Sequence, residues 1–167
     1  MTDLVPSPRR LSGLLALVFA VTPVVAAAVI GNLATLPNLA PWYAGLVKPS
    51  FNPPNGVFGP VWTTLYVMMI VAFWRVLRAE AAPRRGAAIG WFLVQMALNA
   101  GWSVAFFGLH SPLAGLAVIG PLVVAIAATI RAFRPIDRPA AWLLAPYLAW
   151  VSFATGLNTA IWWLNRG

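Results

Sequence analysis

The sequence is poor in the residues that most enzymes and metalloproteins depend on. Its 167 residues include no cysteine, one histidine and three acidic residues. Without cysteine the chain has no disulfide and no thiolate metal ligand, and cysteine usage indicates no redox compartment. The acids Asp3, Glu80 and Asp137 all lie outside the long apolar segments. Because ion-coupled pumps place ionisable groups within the membrane, this pattern argues against a coupled pump. No conventional catalytic group indicates an enzyme.

The single histidine, His110, lies at a helix end within the shortest predicted connection. At that position it is expected to cap a helix or to lie at the membrane interface. The alternative, an axial haem ligand, lacks a second histidine or a cysteine as its partner. The sequence therefore predicts no metal site and no obligatory cofactor.

Apolar residues are what the chain has in excess. They make up 61% of the sequence against 8% charged residues, whereas soluble domains are about a quarter charged. A small soluble domain cannot hide so much apolar surface from water.

Five stretches reach the roughly 20 apolar residues that cross a bilayer as a helix; they are residues 11–30, 61–77, 87–109, 113–130 and 140–164. Their one charged residue, Arg75, is expected to reach the interface from near a helix end. The sequence thus predicts an all-α membrane protein, a single domain over residues 1–167 built as a five-helix bundle.

The basic residues indicate orientation rather than nucleic-acid binding. The net charge is +8, but a nucleic-acid reader spreads lysine and arginine over one face, and here they cluster between the apolar stretches. Nine of the eleven flank one side of the membrane, namely Arg9, Arg10, Arg75, Arg78, Arg84, Arg85, Arg131, Arg134 and Arg138. Only Lys48 and Arg166 flank the other. The positive-inside rule then predicts a multi-pass protein, expected in a bacterial cell envelope, with a cytoplasmic N-terminus and an external C-terminus. The first stretch is longer than the core of a signal peptide and is expected to be retained.

The first connection, residues 32–59, is much the longest. Loops of more than about 12–15 residues are usually functional, and this one holds five prolines and several aromatic residues. It is expected to form an ordered cap over one end of the bundle. Elsewhere Pro60, Pro112 and Pro139 are expected at first helical turns, and Pro146 is expected to kink the fifth helix.

The nine tryptophans are only partly explained by the aromatic belt at the membrane interface. The belt suits Trp42, Trp74, Trp142, Trp162 and Trp163. Trp150 instead lies well inside the fifth stretch, roughly 15 Å deep at the rise of an α-helix. Three- and four-residue spacings place aromatic and polar residues on one face of three helices; these faces are Trp62-Tyr66-Met69-Phe73, Trp91-Gln95-Asn99-Trp102-Phe106 and Tyr147-Trp150-Ala154-Asn158. The first and fourth stretches have no such face.

These faces have two interpretations. Asparagine and glutamine form hydrogen bonds between membrane helices, and small residues let helices approach, so packing alone would account for Asn99. The combination of Trp62, Trp102 and Trp150 with Asn99 favours a cavity, because few small residues lie between these bulky groups. Such a lining suits a flat, apolar, aromatic molecule with a polar edge.

The same residues resemble the TspO/translocator-protein family, the tryptophan-rich sensory proteins akin to the peripheral benzodiazepine receptor. The resemblance extends from Trp42 to Asn158. It is carried by Trp42-Tyr43, Lys48-Pro49, Phe51-Asn52-Pro53-Pro54, Phe58-Gly59-Pro60-Val61-Trp62-Thr63, Tyr66, Leu98-Asn99, Trp102, Phe106-Phe107-Gly108, Pro146-Tyr147-Leu148-Ala149-Trp150, Phe153-Ala154-Thr155 and Leu157-Asn158.

The resemblance implies a five-helix bundle, commonly a homodimer, that binds porphyrins, sterols and isoquinoline or benzodiazepine ligands beneath the first loop. The glycine- and alanine-rich faces of the first and third helices, including Gly86 and Gly90, are candidate dimer surfaces. The family's pocket positions fall on Trp62, Tyr66, Asn99, Trp102, Trp150 and Ala154. Its loop positions fall on Trp42, Lys48 and Pro53, and Phe51 belongs to the same capping segment.

The expected function is that of a porphyrin-binding membrane sensor or carrier, with porphyrin as ligand rather than cofactor. The alternatives are a transporter of small apolar ligands and a light-dependent porphyrin-degrading enzyme, which in some relatives uses the tryptophans matching Trp62 and Trp150. Lys48 is expected either to meet a porphyrin propionate or to reach the interface without binding ligand. The C-terminal sterol motif departs from the family, with tryptophan where tyrosine is expected before Arg166, and such motifs are weak patterns.

Overall fold

The computed structural model describes residues 12–79 and 84–166. Leu11, Arg9, Arg10, Asp3, Glu80 and Gly167, which entered the predictions above, lie outside the described residues. Within them five helical segments are long and apolar enough to cross a membrane, which confirms the predicted all-α membrane fold.

The spans are more extended than the apolar stretches that predicted them. Helix α1 covers Gly13–Thr35 and continues through a 3₁₀ turn at Leu36–Asn38 and a π-helical turn at Leu39–Tyr43. Helix α2 covers Asn55–Arg78, α3 covers Arg85–Ser103 with a π-helical turn at Val104–Gly108, and α4 covers Pro112–Phe133. The fifth span consists of two helices, α5 at Arg138–Leu143 and α6 at Ala145–Leu164.

The long first connection is therefore shorter than predicted. Helix α1 and its continuation take up its first part and α2 its last part, so that only residues 46–54 are irregular. The reason at the α2 end is Pro53-Pro54. A residue that precedes proline is held away from helical backbone angles, which restricts Asn52 and Pro53. Pro54 is the extended N-cap, and α2 begins at Asn55. Pro60 accordingly lies inside α2 and not at its first turn, so that prediction was wrong.

Helices α4 and α5 begin at side-chain caps. The Ser111 hydroxyl accepts a hydrogen bond from the Ala114 amide at 3.1 Å, and the Asp137 carboxylate accepts one from Ala140 at 2.8 Å. Pro112 and Pro139 occupy the first turns after these caps, as predicted. Pro146 does more than kink the fifth span, because the helix breaks at Leu144 and restarts at Ala145. Proline lacks the amide hydrogen that would continue the helical ladder through this point.

The five spans form a bundle in which α3 packs on α1 and α4, α1 packs on α2, and α4 packs on α6. Helix α2 packs on the short α5. We call the end that holds the irregular segment 46–54 the loop end, and the end that holds the start of α1, the end of α2 and α5 the basic end.

The basic end is filled by close packing. Phe73, Phe92 and Phe133 form a stack with ring centroids 4.0 to 6.5 Å apart, and each is 2% exposed or less. The fully buried Ala16 and Ala88 belong to the same core. Small residues let these helices approach, and the phenylalanine stack occupies the remaining space.

An ion pair closes the basic end between α2 and α5. Arg75 Nε donates to Asp137 Oδ1 at 3.1 Å, and its terminal nitrogen lies 3.0 Å from Oδ2. The predicted interfacial position of Arg75 stays a prediction, and the structure adds a partner that the sequence did not indicate. Asp137 lies after α4 in the chain, and no sequence pattern indicates that it turns back toward α2.

Candidate ligand-binding cavity

A cavity of about 640 Å³ occupies the loop end of the bundle. This volume falls within the range of about 300–1,000 Å³ that is typical of small-molecule sites. Its wall comes from α1, α2, α3 and α6, and the remaining residues come from the turns after α1 and α3. Helix α4, which had no aromatic face in the sequence, does not line it.

The structure brings all six predicted pocket residues to this one cavity. They are Trp62, Tyr66, Asn99, Trp102, Trp150 and Ala154. Three helices hold them, at the periodic positions that place them on a shared face. Their arrangement around one space is observed, whereas a role in binding ligand stays a prediction.

Three side chains form a hydrogen-bonded chain from α2 through α3 to α6, and two of them, Tyr66 and Asn99, line the cavity. The Tyr66 hydroxyl donates to Asn99 Oδ1 at 3.3 Å, and Asn99 Nδ2 donates to the Tyr147 hydroxyl at 2.9 Å. Asn99 and Tyr147 are 4% and 0% exposed. Polar groups in a membrane interior need such partners, so Asn99 both satisfies the packing interpretation and lines the cavity.

A second polar group, Asn158, forms a hydrogen bond with Trp102 of α3. Trp102 Nε1 donates to Asn158 Oδ1 at 3.1 Å, and Asn158 Nδ2 donates to the Pro112 carbonyl at 2.8 Å. Gly115 of α4 makes room for this contact, because a Cβ there would lie 2.7 Å from Asn158 Oδ1 and 2.9 Å from the Phe106 ring. Asn158 was placed on the correct helix face by its spacing but was not selected as a site residue.

The aromatic rings of the cavity wall pack against one another. Trp62 lies 5.3 Å from the Tyr66 ring, and Trp150 meets Phe58 edge to face at 5.8 Å. Within the described residues, Trp102 and Trp74 donate their indole N–H groups to protein acceptors. For Trp62 and Trp150 the same residues supply no acceptor. These two indole N–H groups are therefore candidate hydrogen-bond donors to a ligand.

Helix α1 forms a large part of the wall, which the sequence did not predict. Val25 and Leu36 line the cavity and are 48% and 62% exposed, and Val67 of α2 lines it and is 55% exposed. The cavity therefore reaches the outer surface along the seam between α1 and α2. This contribution was missed because the lining part of α1 has no aromatic residue and is mostly small or aliphatic, with polar Asn32 and Thr35 only at its end.

Comparison with known proteins agrees with this architecture. The model of the TspO/MBR family matches residues 19–164. The chain belongs to the TspO/MBR family. A tryptophan-rich protein TspO of Chlorobaculum tepidum is 47% identical over 131 residues, 77% of this chain and 83% of that protein. One from Archaeoglobus fulgidus is 40% identical over 160 residues, 91% of this chain and 98% of that protein. The human translocator protein is 42% identical over 130 residues, 75% of this chain and 76% of that protein.

The capping residues of this TspO/MBR protein lie beside the cavity and not on its wall. Trp42 stacks on His110 at 4.8 Å and meets the Phe106 ring edge to face. Phe51 is 52% exposed and contacts Phe153, and Pro53 is half-buried. From this part of the chain Tyr43 and Phe58 reach the cavity instead. Trp42 is thus part of the packed cap, and its position in the membrane belt stays a prediction.

Lys48 does not reach the cavity. Its Nζ donates to the carbonyl oxygens of Leu46 at 3.0 Å and Ala44 at 3.3 Å, and it lies 4.7 Å from the centre of the Tyr43 ring. These contacts hold the irregular segment in place. The position supports the interfacial interpretation over a direct contact with ligand inside the cavity.

Two further residues of the predicted α3 face have other environments. Trp91 is 41% exposed and does not line the cavity, because its position lies beyond the edge of the buried face. Gln95 is fully buried, and neither of its amide atoms has a hydrogen-bond partner within the described residues. His110 lies at the loop end with Nε2 2.6 Å from Asn38 Oδ1, and its predicted helix-capping or interfacial role stays a prediction.

Proposed function

We propose that this TspO/MBR protein binds a porphyrin-type tetrapyrrole in the loop-end cavity and acts as a sensor or carrier of that ligand. The observation that carries the proposal is the wall itself, on which Trp62, Tyr66, Trp102 and Trp150 surround one space of suitable volume. A planar aromatic macrocycle stacks on such rings with a gain of roughly 1–3 kcal/mol per contact, by analogy with nucleobases.

The polar groups of the wall support a ligand that is apolar over most of its surface. The indole N–H groups of Trp62 and Trp150 and the Tyr66 hydroxyl offer a few directed hydrogen bonds. None of the residues on this wall is charged. A carboxylate left inside would lack a counter-ion at high energetic cost, so the propionates of a porphyrin would project from the cavity toward water.

Titration of the purified protein with protoporphyrin tests the proposal. Saturable quenching of tryptophan fluorescence is expected for the wild type. Trp62→Ala or Trp150→Ala should weaken binding, followed by porphyrin absorbance, by at least about tenfold, or 1.4 kcal/mol. Trp163→Ala is the matched control, because Trp163 is 57% exposed and does not line the cavity; its affinity should stay near the wild-type value.

Two outcomes would contradict the proposal. One is quenching that rises linearly without saturation, which indicates partition into detergent. The other is the same small effect for all three substitutions with the fold intact by circular dichroism, since Trp62 and Trp150 would then serve packing alone.

Two alternatives keep the same site and differ in the fate of the bound ligand. The surface opening between α1 and α2 favours a transporter that exchanges apolar ligands, including sterols, with the bilayer. Flux of porphyrin into protein-containing vesicles would separate this function from sensing. A light-dependent degrading enzyme would yield a defined product that free porphyrin bleached in the same light does not.

We also propose that the loop end faces the outside of the cell and the basic end the cytoplasm. The nine-to-two distribution of basic residues supports this orientation. A reporter fused after Gly167 should report the outside, and one inserted between Glu80 and Arg84 the cytoplasm. Both reporting the same side would refute it.

We also propose that the protein forms a homodimer, and the structure favours α3 over α1 as the dimer surface. The small residues of α1 face the subunit interior, where Ala27 and Gly31 are buried. Gly86 and Gly90 of α3 have no atom within 4 Å of an added Cβ, and Gly90 is exposed. Gly90→Leu should therefore leave the subunit folded and weaken a dimer formed through α3, as measured by cross-linking in native membranes. A wild type that is strictly monomeric there would refute the dimer.

A further inference from the structure

A second pocket lies at the basic end, in the turn between α4 and α5. It has a volume of about 680 Å³ and is lined by Arg131, Arg134, Pro135, Ile136 and Arg138. Arg131, Arg134 and Arg138 all lie at the surface, and no hydrogen bond to another described residue holds their guanidinium groups. Three cations gathered around one open pocket attract an anion.

The one acid in this turn does not neutralise the cluster. Asp137 directs both carboxylate oxygens inward, where they accept from Arg75 and from the Ala140 amide. Its side chain is 17% exposed. The charge of Asp137 is therefore balanced by Arg75, and the positive charge of Arg131, Arg134 and Arg138 is left without an acidic partner among the described residues.

The helix dipoles explain only part of the cluster. Arg131 and Arg134 lie at the C-terminal end of α4, where a positive charge is favoured. Arg138 is the first residue of α5, where the dipole disfavours a positive charge. The position of Arg138 is therefore disfavoured both by the dipole of α5 and by repulsion from Arg131 and Arg134, and a bound anion would offset both.

The surroundings indicate that this anion belongs to a lipid. Trp142 lies one helical turn after Arg138, on the same face of α5, and is 71% exposed. Exposed tryptophan is typical of the depth at which headgroups meet hydrocarbon. A phosphate held by the arginines would thus place its glycerol backbone and acyl chains along Trp142. A free phosphate would gain nothing from this apolar neighbour.

We propose that the pocket formed by Arg131, Arg134 and Arg138 binds the phosphate-bearing headgroup of an anionic phospholipid. Arginine suits this ligand, because its planar guanidinium donates two parallel hydrogen bonds to phosphate oxygens. The site is separate from the cavity at the loop end and does not depend on what that cavity binds.

Native mass spectrometry of the detergent-solubilised protein, titrated with phosphatidylglycerol, tests the proposal. The wild type should bind phosphatidylglycerol more tightly than phosphatidylcholine. The double variant Arg134→Gln/Arg138→Gln should lose at least about tenfold in affinity for phosphatidylglycerol, since each basic residue near an anionic surface contributes severalfold. Arg78→Gln/Arg84→Gln is the matched control, because it removes the same charge from the basic end at residues that do not line the pocket, and its loss should be clearly smaller than that of the pocket variant.

Three results would overturn the proposal. Equal weakening in both double variants would mean a diffuse positive surface without a site. Equal affinity for phosphatidylcholine would mean that the headgroup charge is not recognised. Displacement of the lipid by an equimolar amount of inorganic phosphate would identify a soluble anion as the occupant.

The variant Arg134→Lys/Arg138→Lys keeps the charge and should bind phosphatidylglycerol with intermediate affinity. If it bound as weakly as the glutamine variant, the positive charge of the pocket would contribute nothing to binding.

Discussion

The two ends of this bundle use aromatic side chains for opposite purposes. At the basic end Phe73, Phe92 and Phe133 stack on one another and fill the space between the helices. At the loop end Trp62 and Trp150 stand around a cavity of about 640 Å³. The difference lies in what surrounds the rings. Alanines bring the helices together at the basic end, whereas at the loop end hydrogen-bonded polar groups occupy fixed positions between them.

The comparison shows why a ligand cavity exists in so small a bundle. Packing at the basic end, reinforced by the pair of Arg75 and Asp137, supplies the stability that the open half lacks. The polar chain of Tyr66, Asn99 and Tyr147 marks the boundary between the two halves. Stability and binding should therefore respond to substitutions in different halves.

The largest expected effect is a loss of stability on substitution in the phenylalanine stack at the basic end. Phe92→Ala removes a fully buried ring that lies 4.0 and 6.0 Å from Phe73 and Phe133, and should lower the free energy of unfolding by about 3–5 kcal/mol. Unfolding in mixed detergent, followed by circular dichroism, measures it. Phe153→Ala is the matched control at the loop end, where the ring is 38% exposed, and should cost less than about 1 kcal/mol. Equal losses for the two would mean that both halves carry the same packing energy.

The next effect concerns the ion pair that closes the basic end. Asp137→Ala removes a helix cap and the partner of Arg75, and should destabilise the protein by about 2 kcal/mol. Asp137→Asn keeps an oxygen for the Ala140 amide and should lose about half as much. The same unfolding measurement compares the two variants. An alanine variant as stable as the wild type would show that the Asp137 contacts do not stabilise the basic end.

A smaller effect is expected where the halves meet. Asn99→Leu breaks the hydrogen bonds to Tyr66 and Tyr147 and should cost about 1 kcal/mol of stability, since hydrogen bonds between membrane helices are individually weak. Porphyrin affinity should fall as well, because Tyr66 loses its fixed position. A loss of stability with unchanged affinity would assign Asn99 to packing alone.

The smallest effect is expected at Lys48. Its ammonium group is held by the Leu46 and Ala44 carbonyls outside the cavity, so Lys48→Ala should change porphyrin affinity by less than about twofold. That is below about 0.4 kcal/mol, measured by the same titration. A loss of tenfold or more would show that Lys48 contacts the porphyrin propionates, contrary to this expectation.

Much of the fold could be predicted because the bilayer imposes it. A helix must be apolar over its full crossing, and this made the number of spans, the helical class and the uneven distribution of charge readable from the sequence. Periodicity then placed Trp62, Asn99 and Trp150 on inward faces. The helix ends were less predictable, since proline and polar residues are tolerated where a span leaves the hydrocarbon. Pro60 and the turns after α1 are the examples.

The sequence by itself determined a five-span apolar chain with aromatic faces on three helices. Only the tertiary structure decided that α1 completes the cavity wall, that Lys48 and Trp42 lie outside it, and that Asp137 pairs with Arg75. The physical reason is that the contacts of Trp42 and Asp137 join residues far apart in the chain, and that the partners of Lys48 and most of the α1 wall are backbone carbonyls and aliphatic side chains. Such groups leave no periodic signal, so their positions depend on how the helices cross and where the loop end folds back.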